Sequence, residues 1–206
     1  MFRLSLALGC LAVFSSHVSA TVVGDTVTVA NTFQDSAITG GVQTVFGLGD
    51  SVVGAGTELS AFVGLYDINV GEGSIEMTLV DNSSAADLVL PAGRFDRYYY
   101  QFGSHSVSSV ALEGTDDLNE FARVELLSRG FQLDVADQFS TGIGLPIEFE
   151  NGGFLVEFGP GTNLTTLGET ANIAFSTVAV PEPSSLALGL GSLGLITFFR
   201  TKRRIA

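Results

Sequence analysis

The chain has 206 residues, of which 22 are acidic and nine are basic, and its formal net charge is −13. Residues 21–180 hold 21 of the acidic residues against four arginines, so this stretch alone carries a net charge of −17. Such an acidic surface repels phosphate backbones, and we therefore expect no binding to nucleic acid. The length suits one domain of ordinary size.

The first 20 residues have the layout of a secretory signal peptide. Arg3 gives a positive start, an apolar run covers residues 4–14, and small residues lead up to Ala20. We therefore predict cleavage between Ala20 and Thr21; the alternative is a buried strand or helix at residues 4–14. Cys10 is the only cysteine and would leave with this segment, so the exported chain is expected to have neither thiol nor disulfide.

Residues 21–177 alternate apolar and polar residues in short runs, which is typical of half-buried strands. Turns rich in Gly, Asn and Pro separate the runs, and this pattern indicates a sandwich or barrel. We predict an all-β ectodomain over residues 21–177, a jelly-roll-like β-sandwich. Asn151-Gly152, between IEFE and FLVEF, predicts a type I′ hairpin. The alternating runs are TVTV, SIEMTL, FQLDV, FLVEF and NIAFSTV.

The segment TDDLNEFARVELLSRG carries both helix and strand signals. Thr115 suits a helix N-cap and Gly130 a helix stop, whereas Arg123 to Leu126 alternate as in a strand. We favour a loop or a single helical turn around residues 116–120, followed by a strand.

The same segment holds the candidate calcium ligands. Clustered carboxylates and loop carbonyls supply the oxygen ligands that Ca²⁺ prefers, although the spacing does not match an EF-hand loop. The alternative is an acidic surface that serves solubility alone, and no other cofactor is expected. The candidate ligands are Glu113, Asp116, Asp117, Asn119 and Glu120.

The ectodomain lacks the residues expected of an enzyme. One histidine, His105, is left after signal removal, and no G-x-S-x-G nucleophile elbow accompanies it. Acidic pairs are no evidence in a chain with so many carboxylates. We therefore predict no catalytic residues and interpret His105 as a hydrogen-bonded or solvated strand residue; the alternative is a hydrolase of unrecognised type.

The run RFDRYYYQF concentrates aromatic residues. If exposed, Tyr98, Tyr99 and Tyr100 would stack on sugar rings, which suits a protein that binds exopolysaccharide. The alternative is a strand with Tyr99 on one face and Tyr98 and Tyr100 on the other, partly in the core.

The C-terminal segment combines a stiff peptide, a short apolar run and a cluster of cations. Residues 178–183 form a predicted linker, in which Pro181 and Pro183 impose an extended backbone. Residues 184–199 carry no charge and are a predicted transmembrane helix, whose length of about 24 Å is short for a hydrocarbon core of about 30 Å. Residues 200–206 are a predicted cytoplasmic tail, because basic residues beside a span stay inside. Its cations are Arg200, Lys202, Arg203 and Arg204.

This order of Pro-Glu-Pro, Leu/Gly-rich run and basic cluster resembles the PEP-CTERM sorting signal of Gram-negative bacteria. The stretch VPEPSSLALGLGSLGL closely matches the residues that are usual in that signal. The resemblance implies recognition at Val180, Pro181, Glu182 and Pro183 by exosortase, a membrane transpeptidase. It further implies an exported protein anchored in the inner membrane and then passed to the cell surface or extracellular matrix. We accordingly expect a structural or adhesive role in the envelope or biofilm matrix; the alternative is a secreted carbohydrate- or calcium-binding module.

Overall fold

The computed structural model describes residues 21–36, 43–83, 85, 88–114, 117–133 and 147–180. Twelve strands and one short 3-10 helix, Asp117–Phe121, are found within these ranges. The strands are β1 (Thr26–Asp35), β2 (Gln43–Val52), β3 (Thr57–Phe62), β4 (Tyr66–Val70), β5 (Ser74–Leu79), β6 (Arg94–Phe102), β7 (His105–Glu113), β8 (Ala122–Leu127), β9 (Phe131–Leu133), β10 (Ile147–Phe149), β11 (Gly153–Phe158) and β12 (Thr170–Ala179).

The strands form two five-stranded antiparallel sheets and one small hairpin. Sheet A has the order β2-β1-β6-β11-β8, sheet B has the order β3-β4-β5-β12-β7, and β9 pairs only with β10. The all-β prediction is confirmed, and each predicted alternating run contains a strand. The jelly-roll-like arrangement stays a prediction.

Sheets A and B share one core, which aromatic side chains dominate. Tyr66 of sheet B meets Tyr98 edge-on at 5.5 Å between ring centroids and stacks on Phe158 at 5.6 Å. At the other end of the core, Phe175 of sheet B stacks on Phe102 at 5.1 Å. Because alternate residues of each strand point to opposite faces, these rings occupy the inward positions of their strands.

The hairpin β9-β10 covers the outer face of sheet A. Tyr99 points to this face and stacks on Phe131 at 6.2 Å, with Phe149 at 6.0 Å. A second buried cluster joins these rings to Ala30, Val45, Leu127, Leu133 and Leu155. The central strands of sheet A are therefore buried on both faces.

The predicted hairpin at Asn151-Gly152 is wrong. Strand β10 pairs with β9, and β11 pairs with β6 and β8, so the Asn-Gly turn carries the chain from the small hairpin into sheet A. The Asn151 amide donates to the carbonyl of Gly103 at 2.6 Å, which ties the turn to the end of β6 rather than to a hairpin partner.

The segment with mixed signals is a helical turn followed by a strand, as predicted. The 3-10 helix ends at Phe121, and β8 begins at Ala122. Leu118 anchors the turn because its side chain is fully buried in the shared core.

Candidate functional site

The last strand runs directly into the predicted sorting segment. β12 continues to Ala179, which pairs with His105 of β7, and the Val180 amide donates to the carbonyl of Ser104 at 2.9 Å. Residues 178–179 therefore belong to sheet B, whereas the sequence placed them in a linker. The folded domain extends to the first residue of Val-Pro-Glu-Pro.

A buried carboxylate holds this end of the domain together. Asp25 is 8% exposed, and its carboxylate accepts hydrogen bonds from the amides of Thr26, at 2.8 Å, and Ser104, at 2.9 and 3.0 Å. The Nδ1 of His105 lies 2.6 Å from its Oδ2. Burial raises the pKa of Asp25, but the bonds from His105, Ser104 and Thr26 outweigh burial and hold that pKa below its ordinary value.

The start of the described chain and the exit of the sorting segment lie at one end of the sandwich. The carboxylate of Asp25, the fifth residue after the predicted cleavage point, binds the Ser104 amide, and the Ser104 carbonyl in turn binds the Val180 amide. Thr21 is held beside this end of the chain by its hydroxyl, which donates to Glu72 at 2.9 Å. An anchor at the C-terminus would therefore hold the domain by the end at which Thr21 and Asp25 lie.

His105 has a structural environment in this arrangement. It lies at the start of β7, and its ring is hydrogen-bonded to Asp25. Among the residues that the structure describes, no serine hydroxyl is hydrogen-bonded to His105, so a Ser-His-Asp set is not assembled there. The prediction that the chain has no catalytic residues stays a prediction.

The structure contradicts the sugar-stacking interpretation of the three tyrosines. Tyr98 and Tyr100 are fully buried in the shared core, and Tyr99 is 4% exposed beneath the β9-β10 hairpin. The faces of these rings are covered by other aromatic side chains, so no sugar reaches them. The alternative, a core strand with Tyr99 on the opposite face, matches the observed arrangement.

The candidate calcium ligands are only partly described. Glu113 and Glu120 are exposed, and Asn119 is buried, with its amide donating to the carbonyl of Glu113 at 2.6 Å. Asp116 lies outside the described residues, as does the side chain of Asp117. In the described part of the chain, no group of three or more His, Cys, Asp or Glu side chains is arranged to hold a metal. Calcium binding stays a prediction.

A buried polar group, not predicted from the sequence, lies on the inward face of β6. Asp96 is 6% exposed, and its carboxylate accepts bonds from Nδ2 of Asn31 at 2.6 Å and from the Tyr98 hydroxyl at 2.9 Å. Burial raises the pKa of Asp96 from 3.8 to about 6, although both hydrogen bonds oppose the shift. Beside it, Arg94 forms a buried ion pair with Asp35. The signal was present in RFDRYYYQF, where Arg94 and Asp96 share the phase of Tyr98.

The remaining predicted site residues lie outside the described ranges. They are Ala20 at the cleavage point, Pro181, Glu182 and Pro183 of the motif, and the cations Arg200, Lys202, Arg203 and Arg204. The predicted helix at 184–199 also lies there. Within the ranges that are described, the structure contains no helix long and apolar enough to cross a membrane.

Comparison with known proteins identifies the C-terminal segment. A family model for the PEP-CTERM protein-sorting motif matches residues 179–204. No curated protein and no solved structure matches the chain significantly. The match begins at Ala179, the last residue of β12. The chain therefore carries a PEP-CTERM protein-sorting motif and is an exported protein targeted to exosortase.

Proposed function

We propose that this protein is an envelope or matrix component whose acidic β-domain is held at the inner membrane by its C-terminus, outside the cytoplasm, until an exosortase-like transpeptidase processes it at Val180–Pro183. The domain then acts at the cell surface or in the extracellular matrix, in a structural or adhesive role without catalysis. The observation that carries the proposal is the sorting motif, which begins where the last strand ends.

The charge of the domain supports this destination. With a net charge of −17 over residues 21–180, the domain is repelled by anionic lipid headgroups. Retention at a membrane must then come from the C-terminal segment, whose apolar run and cations have the opposite character. Removing that segment frees the domain for the surface or matrix, where exopolysaccharide is the proposed partner.

The position of Val180 at the end of sheet B supports the proposed processing at Val180–Pro183. Its amide is hydrogen-bonded to Ser104, whereas Pro181 and Pro183 have no amide hydrogen to donate to a strand. Strand pairing therefore cannot continue regularly past Val180, and the motif supplies the extended peptide that a protease-like cleft accepts.

Mass spectrometry of the C-terminus tests the proposal. In a strain that has its transpeptidase, we expect loss of residues 184–206; in a strain that lacks the enzyme, we expect the chain to end at Ala206. Replacing both Pro181 and Pro183 by Ala is expected to block processing, whereas Glu150→Gln, an exposed change in the folded domain, leaves it intact. An intact Ala206 in both strains contradicts the proposal.

A further inference from the structure

A cavity of about 120 Å³ lies between the sheets, at the end of the sandwich opposite to Val180. Asp96 lies at this end, six residues before β6 ends at Phe102 beside Ser104, which corresponds to about 20 Å of extended strand. Phe46, which is 43% exposed, places the cavity within reach of solvent. Its apolar walls include Phe33, Phe46, Val63, Leu65, Leu90 and Leu164.

The polar part of the cavity carries a net negative charge. Asp96 accepts its two hydrogen bonds from neutral groups, and it forms no ion pair with any residue that the structure describes. Arg94 also lines the cavity, but its charge is matched by the buried carboxylate of Asp35. A buried carboxylate without a cation is costly, so the cavity favours a positively charged occupant.

One wall of the cavity is strained. Val63 has a backbone φ of 52°, in the left-handed region that β-branched residues avoid. Its Cγ1 lies 2.6 Å from where a Cβ on Gly47 would be, so the absence of a side chain at Gly47 makes room for it. Strain of this kind persists where the surroundings impose it, and it is concentrated at ligand sites.

We propose that this cavity binds a small organic cation, a body the size of one six-membered ring that carries a protonated amino group paired with Asp96. An apolar cavity of about 150 Å³ holds a benzene ring, and this cavity is somewhat smaller, so one six-membered ring is the upper limit for the size of the body. A sugar needs polar partners around its whole ring, which the apolar walls do not offer. An anionic ligand is repelled by Asp96. The described residues that line the cavity end at Leu164, so the proposed processing at Val180–Pro183 removes none of them.

Binding of benzylamine to the full chain in a non-ionic detergent at pH 7.5, measured by titration calorimetry, tests the proposal. Benzyl alcohol is the neutral probe of the same shape, and we expect it to bind at least tenfold more weakly. Asp96→Asn removes the charge and keeps the shape, and it is expected to weaken benzylamine binding at least tenfold. Ala85→Leu fills space in the cavity lining and is also expected to weaken benzylamine binding at least tenfold. Asp50→Asn, at an exposed position of β2, should leave benzylamine binding unchanged.

Three results overturn the proposal: no binding of benzylamine at millimolar concentration, equal binding of benzyl alcohol, or benzylamine affinity unchanged by Asp96→Asn. If Asp96→Asn does not fold, the comparison of Ala85→Leu with Asp50→Asn decides in its place. Unchanged affinity in Ala85→Leu then places any binding outside this cavity and likewise overturns the assignment.

Discussion

Asp96 makes stability depend on pH in an unusual direction for a carboxyl group. Its pKa is raised by burial to about 6 from an unfolded value of 3.8, so the folded protein binds the proton more tightly. The contribution of Asp96 to the free energy of unfolding is therefore fully present below pH 3.8 and is lost as pH rises through about 6. The loss amounts to roughly 3 kcal/mol, because each pKa unit corresponds to about 1.4 kcal/mol.

The Asp96→Asn variant isolates this effect. The amide is neutral at every pH and keeps an oxygen for Asn31 and a group that can bond Tyr98. We expect denaturant unfolding between pH 4 and pH 7 to show that the variant lacks the wild-type loss, which is roughly 2 kcal/mol over this range. The Asp50→Asn variant serves as the control for an exposed carboxylate. Parallel pH profiles for wild type and Asp96→Asn would contradict the raised pKa.

Asp25 affects the pH dependence of stability in the opposite direction, and through Ser104 it holds the end of β12 at Val180. Replacing Asp25 by Ala leaves the amides of Ser104 and Thr26 without their acceptor, and we expect a loss of roughly 1–3 kcal/mol in the free energy of unfolding. Because the pKa of Asp25 is lowered, its contribution is present above pH 3.8 and disappears as pH falls below that value.

Hydrogen exchange at Val180 gives a local measure of the Asp25→Ala change. Ser104 connects Asp25 to Val180, so we expect the Val180 amide to exchange faster in the variant at neutral pH. Asp50→Ala should leave this amide unchanged. Equal exchange in Asp25→Ala and wild type would show that the carboxylate does not hold the end of β12.

At the scale of elements, the contact of β11 with β6 depends on one glycine. A Cβ on Gly153 would lie 1.9 Å from the carbonyl oxygen of Tyr100, a backbone atom that cannot move aside. We expect Gly153→Ala to cost at least roughly 3 kcal/mol or to prevent folding, measured by thermal unfolding. Gly54→Ala is the matched control, because its nearest atom would be 3.9 Å away, and its effect should stay within about 0.5 kcal/mol. Equal stability of the two variants would refute the close approach.

The strands themselves could be predicted from the sequence, but their pairing could not. Alternation is a local property, so runs such as SIEMTL revealed their strand and its inward face. Strand pairing is not a local property. The Asn151-Gly152 turn predicted a hairpin of β10 with β11, but β10 pairs with β9, from which more than ten residues separate it in the sequence. Turn propensity cannot decide between two available partners.

Among the candidate sites, the linear motif could be predicted from the sequence, whereas the groups assembled by strand pairing could not. The sorting motif is linear, so its residues were readable in order from Val180 onward. The groups around Asp25 and Asp96 are brought together by pairing of β1 with β6, 65 residues apart in the case of Asn31 and Asp96. Nothing in either segment alone indicates the partner, and of the three tyrosines beside Asp96 only Tyr99 lies beneath the β9-β10 hairpin, whereas Tyr98 and Tyr100 are buried between the two sheets.

At the scale of the whole molecule, the two proposed sites lie at opposite ends of the domain. Val180, the first residue of the Val-Pro-Glu-Pro motif, lies at the end held by Asp25, whereas the cavity with Asp96 lies at the other. If the C-terminus holds the domain at a membrane as proposed, the cavity lies at the end away from Val180, and the proposed processing at Val180–Pro183 removes no residue that the structure places in its lining.

Truncation after Val180 tests whether the C-terminal segment alone retains the domain. The truncated chain keeps β12 and its bond to Ser104, so we expect it to fold, and its charge of −17 over residues 21–180 opposes contact with anionic lipid. Cell fractionation of a strain lacking the transpeptidase should place the full chain with the membranes and the truncated chain in the soluble exported fraction. Should the truncated chain sediment with membranes even after a high-salt wash, the folded domain itself would bind the membrane, because salt weakens electrostatic contacts but not apolar ones.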